Sequence, residues 1–453
     1  MSTPAVESSA ATWTFPRAFW VANVIELFER AAYYGTFIAL SIFLTERVGF
    51  TDVEAGWIGG IFSSGIYLLP FATGAAADRM GFRTALLLAF ALLACGYAGL
   101  ALLPSKLFVP FSLVVIALGG SFVKPIITGT VARTSDLANR ARAFSIFYML
   151  VNIGSFSGKT VAKPVRAELG VGMVPLYSAG AALIALVLVA LLYRPPETTE
   201  KKVQRLADTL RDMLTVLSNG RFLALVLITS GFWAIQGQLY ASMPKYVIRL
   251  VGEAASPEWY ANVNPLVVVC LVVPITQLVK RFAPVTSITV ALTLIPCSAL
   301  VMAFASTGQA NFMLFGQALH PITVMMLLGI ALQGLAECFL SPRYLEFASR
   351  QAPKGQEGLY MGYSNLNTFF AWLFGFIISG YLLQAFCPDP KTLSAAAQAQ
   401  RLASLAGNGP MPAEYAHAHY LWFAFSAVGV TALIALLVFR AVTRRQDEAA
   451  AAQ

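Results

Sequence analysis

Residues 52–104 read DVEAGWIGGIFSSGIYLLPFATGAAADRMGFRTALLLAFALLACGYAGLALLP. After Asp52 and Glu54, the charge in this stretch is confined to Asp78, Arg79 and Arg83. An apolar run stands on each side, roughly 52–77 and 84–104. Each can cross about 30 Å of hydrocarbon at roughly 1.5 Å per residue. The stretch reads as two membrane-spanning helices joined by a short charged turn. Working outward, one run precedes it at 18–46, and 107–134, 142–166 and 171–193 follow. After a polar stretch come 221–250, 260–281, 284–306, 320–349, 356–386 and 416–440. The pattern predicts an all-α membrane protein of about twelve helices. Its parts are a tail (1–16), a six-helix bundle (17–193), a linker (194–219), a second bundle (220–441) and a tail (442–453).

Composition agrees. Of 453 residues, 58% are hydrophobic and 12% charged, about half the charge of a soluble domain. Mean hydropathy is +0.69. A net charge of +9 in a soluble protein would suggest nucleic-acid binding. Here the basic residues sit in short loops between apolar runs, the bias of a multi-pass membrane protein. Arg79 and Arg83, Arg140 and Arg142, Lys280 and Arg281, and Arg350 and Lys354 mark one side as cytoplasmic, with both termini. Lys106 and Arg249 are the sparse charges of the other side. No cleavable leader is expected, because the first apolar run carries Glu26, Glu29 and Arg30. The linker repeats Leu206, Leu210, Leu214 and Leu217 at helical spacing, which predicts an interfacial helix on the inner leaflet. Four of the five cysteines lie inside apolar runs and imply no disulfide framework. His320, His417 and His419 lack further ligands at metal-site spacing. No nucleophile motif, phosphate loop or hydrolase acid pair stands out. The chain reads as a transporter rather than an enzyme, a monomer without cofactor or metal.

Charges inside membrane helices are costly, about 2.5–3.5 kcal/mol each on insertion scales, and point to function by default. In the first helix Glu26, Glu29, Arg30, Tyr33, Tyr34 and Phe37 share one face at about 100° per residue. Glu26 and Arg30 are i,i+4 and can pair. Glu29 is then a second acid competing for one guanidinium, the arrangement a proton-coupling site needs. Lys124 lies mid-span beside Pro125, which frees the carbonyl near Ser121. Glu337 precedes a helix break at Ser341-Pro342. The plainer alternative is that these charges only tie helices together. Lys159, Lys163 and Arg166 are expected to snorkel to outer headgroups, and Arg343 and Glu346 to form a surface ion pair.

Two halves of six helices suggest a parallel repeat with a site at the midplane. Gly74, Asp78, Arg79, Gly81 and Arg83 resemble the signature loop of the major facilitator superfamily. Within it, the chain resembles the proton-dependent oligopeptide transporter family, as a divergent member. Glu26-Leu-Phe-Glu29-Arg30-Ala-Ala-Tyr33-Tyr34-Gly35 looks like its helix-1 motif E-x-x-E-R-x-x-Y-Y-G. Tyr67 and Lys124-Pro125 match a tyrosine and a lysine of that family. Phe144-Ser-Ile-Phe, running to Asn152 and Gly154, looks like its helix-5 signature. Asn264-Pro265-Leu266 and Glu337 match helices 8 and 10.

The resemblance implies roles. Glu26, Glu29, Arg30 and Lys124 would couple protons, and Arg30 and Lys124 would attract a substrate carboxylate. Glu337 would bind an ammonium, Asn152 and Asn264 the peptide backbone, and Tyr33, Tyr34 and Tyr67 would line the pocket. Asp78, Arg79 and Arg83 would latch the halves on the cytoplasmic side. Three acids against two bases leave this site at −1 when all are ionised. Symport of protons with di- or tripeptides, or peptide-like solutes, is expected. There are departures. Phe37 stands where peptide carriers usually have an arginine. Gln236 and Gly237 replace the acids of F-W-x-x-E-E-Q, so the outer gate must be apolar or use other residues. Ser364 replaces a tryptophan, which would open space in the pocket. A carrier of another organic solute, a drug or metabolite exporter, and a non-transporting receptor or scaffold remain as alternatives.

Overall fold

Where the chain has proline in an apolar run, the backbone loses a donor and the helix must bend or restart. The computed structural model of the chain shows a restart at Pro70 and at Pro244, while Pro274 and Pro296 lie inside continuous helices. It describes residues 14–136, 139–196, 206–305, 311–314, 316–350 and 363–451. Helix α1 spans Arg17–Ile42; the next span breaks at Pro70 into α2, Asp52–Leu68, and α3, Pro70–Met80. Helices α4 (Phe82–Leu102), α5 (Phe108–Arg133), α6 (Arg140–Pro164) and α7 (Val174–Leu192) complete the first bundle. The linker helix α8 is Leu206–Ser218. The run expected at 221–250 is broken into α9 (Gly220–Gln236), α10 (Gln238–Ala241) and α11 (Met243–Val251). Gly237 ends α9, its N–H bonded to the Trp233 carbonyl at 2.8 Å, and Pro244 opens α11. A one-turn helix, α12 (Pro257–Tyr260), leads into α13 (Val263–Val279) and α14 (Pro284–Ala303). A small hairpin pairs β1 (Phe312–Leu314) with β2 (Gln317–Leu319), antiparallel, Met313 opposite Ala318. Helices α15 (Pro321–Arg350), α16 (Leu366–Phe386), α17 (Ala395–Leu405) and α18 (Tyr420–Ala451) follow.

Eleven helical spans among the described residues are long and apolar enough to cross a membrane. Helix α6 adds a 25-residue helix that carries more charge, including Lys159 and Lys163. Pro125 does not break α5. The hydroxyl of Thr73 on α3 donates to the freed Ser121 carbonyl at 2.9 Å, so the lost backbone bond is replaced from a neighbouring helix.

Small residues let the helices approach closely, as packing without a hydrophobic driving force requires. A Cβ added at Gly158 on α6 would lie 2.3 Å from the Ala31 carbonyl on α1. Between the halves, α2 packs along α16, and a Cβ at Gly380 would lie 2.6 Å from the Asp52 carbonyl. Large apolar side chains such as Phe111, Leu191 and Val273 point outward, as a lipid-facing belt does. Helix α8 docks on α3 and α9 through Val216, which is fully buried, while Leu214 is exposed. Leu217, the last leucine of the stripe, is partly buried against the core beside it, so the stripe meets protein at its end. The side chains of Leu206 and Leu210 lie outside the described residues.

Candidate functional site

The connections place one end of both bundles beside α8, here the linker end, and the opposite end beside α12 and α17, here the far end. Between the halves lies an open cavity lined by residues of both bundles. The first half contributes Tyr34 from α1, Tyr67 from α2, and Tyr148, Asn152, Ser155 and Lys159 from α6. The second contributes Trp233, Gln236, Tyr240, Asn264, Glu337 and Trp372. Tyr148 is 48% exposed and Lys159 1%, so the cavity opens toward the linker end.

Five of the sequence-predicted binding residues line it: Tyr34, Tyr67, Asn152, Asn264 and Glu337. Arg30, Tyr33 and Lys124 do not. Arg30 is held by its own helix, its Nε 3.3 Å from Glu26 and hydrogen-bonded to the Glu29 carboxylate. Both acids are almost wholly buried. Tyr33 turns toward Phe37 one helical turn on and stacks against it at 5.1 Å. Lys124 is exposed and forms no ion pair with a described residue, although its charge is close enough to act on Glu26, Glu29 and Arg30.

Glu337 accepts hydrogen bonds from the Gln236 amide at 2.5 Å and the Asn264 amide at 3.4 Å. Gln236 stands where an acid was expected, and the structure turns it into a donor that holds Glu337 in place. Ser364 is fully buried with its carbonyl bonded to the Tyr344 hydroxyl at 2.9 Å. It is not among the residues lining the cavity, whereas Trp372 on α16 is.

Lys159, Lys163 and Arg166 do not snorkel to headgroups. Lys159 is buried in the cavity wall, its ammonium donating to the Ala261 carbonyl at 3.2 Å. Lys163 donates to the Ala255 carbonyl at 2.8 Å. Arg166 pairs with the fully buried Glu258 and reaches Glu253 at 3.2 Å. The lipid route fails because these side chains face the other half, where carbonyls and acids await them. Lys159 was legible in principle: it follows Asn152 by seven residues, two helical turns on the same face.

The far end is closed by residues the sequence did not single out. Asp52 on α2 accepts from Lys245 at 2.7 Å and from both terminal nitrogens of Arg249 at 2.9 Å, all buried. Arg249, expected in a sparse loop, also donates to the Cys387 carbonyl at 2.6 Å, while Arg401 donates to the Arg249 carbonyl at 2.8 Å. Below this cluster Phe37 stacks on Trp372 across the halves, ring centroids 5.2 Å apart and planes 3° from parallel. At the linker end Asp78 and Arg79 are exposed and bond to no described residue. Arg83 donates to the Ala190 carbonyl of α7, in its own half, at 2.7 Å. Among the described residues the expected latch between halves is not made. Arg343 donates to the Val279 and Phe282 carbonyls; the side chain of Glu346 lies outside the described residues.

Comparison with known proteins gives the same picture. Residues 23–319 match the Major Facilitator Superfamily. The multidrug resistance protein MdtH of Aeromonas salmonicida is 26% identical over 337 residues, 73% of this chain and 80% of that one. Dipeptide and tripeptide permease B of Yersinia enterocolitica is 32% identical over 187 residues, 38% of this chain and 36% of that one. Among solved structures, a POT family transporter in complex with 5-aminolevulinic acid superposes with a TM-score of 0.72, at 17% identity, over 98% of this chain and 99% of its own. Another, in complex with a thioalcohol-conjugated peptide, gives 0.73 at 18% identity over 96% and 98%. These likenesses show the fold. With its residues 23–319 matched, its membrane helices in two bundles and its cavity between them, the chain belongs to the Major Facilitator Superfamily.

Proposed function

We propose that the chain is a proton-coupled symporter of small peptides or peptide-like solutes in the cell membrane. It would work by alternating access, as a single chain with no cofactor besides the proton. One observation carries this reading. Among the described residues the cavity holds one carboxylate, Glu337, fixed by two amides and open to an ammonium. In the opposite half, two further carboxylates, Glu26 and Glu29, share Arg30 out of the cavity. One acid is placed to read a solute and the pair to hold a proton, so the tasks fall on different groups. The names of the relatives support it, permease B for peptides and the two POT transporters for their peptide and 5-aminolevulinic acid ligands. With both termini cytoplasmic, the linker end faces inward and this conformation is open to the cytoplasm.

A second reading is a drug exporter. The MdtH relative matches a larger share of its length than permease B does, and the cavity wall is rich in aromatic rings.

The test is uptake of labelled dialanine into proteoliposomes with the acid side outside, for wild type, Glu26→Gln and Glu337→Gln. Accumulation that needs the gradient and disappears in both variants is expected. Gradient-driven uptake that survives Glu26→Gln would overturn the coupling assignment. Efflux of a cationic dye by antiport, without peptide uptake, would move the protein to the second reading.

A further inference from the structure

We infer that Lys159 is the residue that anchors the carboxylate of the transported solute, in place of Arg30 and Lys124. The inference rests on the cavity being the solute site. Among the described residues lining it, Lys159 is the one cation and Glu337 the one anion. The two form no ion pair with each other. An ammonium carries three donors, and among the described residues Lys159 uses one, to the Ala261 carbonyl. Its nitrogen stands 5.7 Å from the centroid of the Tyr34 ring, itself part of the wall. A buried cation with two open donors is costly unless something pairs with it. Inside a membrane protein such a charge marks a ligand path.

The other cations are occupied or elsewhere. Arg30 is engaged by Glu26 and Glu29, and taking it away would leave two buried acids unpaired. Lys124 lies outside the cavity wall. Phe37, where an arginine was expected, carries no charge and stacks on Trp372. Lys163 and Arg166, its neighbours on α6 and the end that follows, already clamp the far end, so Lys159 is not needed for that task.

Lys159 also changes the charge count. Three acids and two bases gave −1; with Lys159 there are three of each, and the ionised site is neutral. A solute bearing one carboxylate and one ammonium then spans Lys159 and Glu337 without upsetting that balance. The class is an amino acid-like or short peptide zwitterion, and the cavity does not itself demand a peptide bond.

The experiment measures binding to the purified full chain by thermal shift and microscale affinity. The probes are dialanine, alanyl-alaninamide, 5-aminolevulinic acid and its methyl ester. Wild type should prefer each free acid to its neutral partner. Lys159→Gln, or Lys159→Met where the first does not fold, should lose that preference, with free-acid affinity falling roughly 10- to 100-fold. Lys159→Arg and Lys124→Gln should keep it. A preference that survives removal of the Lys159 charge, or vanishes in Lys124→Gln, overturns the assignment. Silence of dialanine alongside Lys159-dependent binding of 5-aminolevulinic acid upholds the anchor and removes the peptide reading. No binding of any free acid to folded wild type overturns both.

Discussion

The two ends of the molecule are built from similar residues and behave differently. At the far end Asp52, Lys245 and Arg249 are buried together and bridge the halves. At the linker end Asp78 and Arg79 stand exposed, and Arg83 bonds within its own half. An acid next to bases is thus a clamp at one end and a solvated turn at the other. The difference is desolvation. Buried ions attract strongly and cannot be separated cheaply, whereas exposed pairs contribute about 0–1 kcal/mol. A carrier that alternates needs both ends to exchange these states, so the far-end cluster is the one whose contacts must break for the cavity to face outward.

This contrast can be broken at its strongest point first. Asp52→Asn leaves Lys245 buried without its acid and Arg249 with only Asp389, 3.6 Å away, a change that costs about 3–5 kcal/mol. The far end should open or the protein lose stability, read as a lower Tm and as new labelling of Cys387, which is fully buried beside Arg249. An unchanged Tm with no labelling would mean that the cluster does not close this end. Gly380→Leu comes next. Its side chain would enter the Asp52 backbone, and overpacking costs roughly 1–3 kcal/mol. The same labelling should rise, more weakly. The smallest effect belongs to the linker end, where Asp78→Asn should change Tm by an amount worth about 0.5 kcal/mol or less. A large loss of stability there would mean that the turn is already latched. If turnover falls while Tm holds, the latch forms in the other conformation.

The candidate site was partly legible from the chain. Glu26, Glu29 and Arg30 share one helix, so their mutual approach follows from spacing alone. Tyr34, Tyr67, Asn152, Asn264 and Glu337 reached the cavity as the motifs implied. Lys159 reached it with no motif to announce it, because a lysine near a helix end has two places to go, lipid headgroups or a partner helix. The partner is the Ala261 carbonyl, 102 positions away. Asp52 and Lys245 are 193 positions apart and belong to no shared pattern.

The amino-acid sequence by itself determined where the chain crosses the membrane, since hydrocarbon admits only apolar runs with their backbone bonds satisfied internally. It also determined which costly charges lie within those runs. Only the tertiary structure decided which of them face the cavity, which pair across the halves and which end is shut. Those outcomes depend on how helices from two bundles meet, and a buried charge takes the partner that packing brings to it.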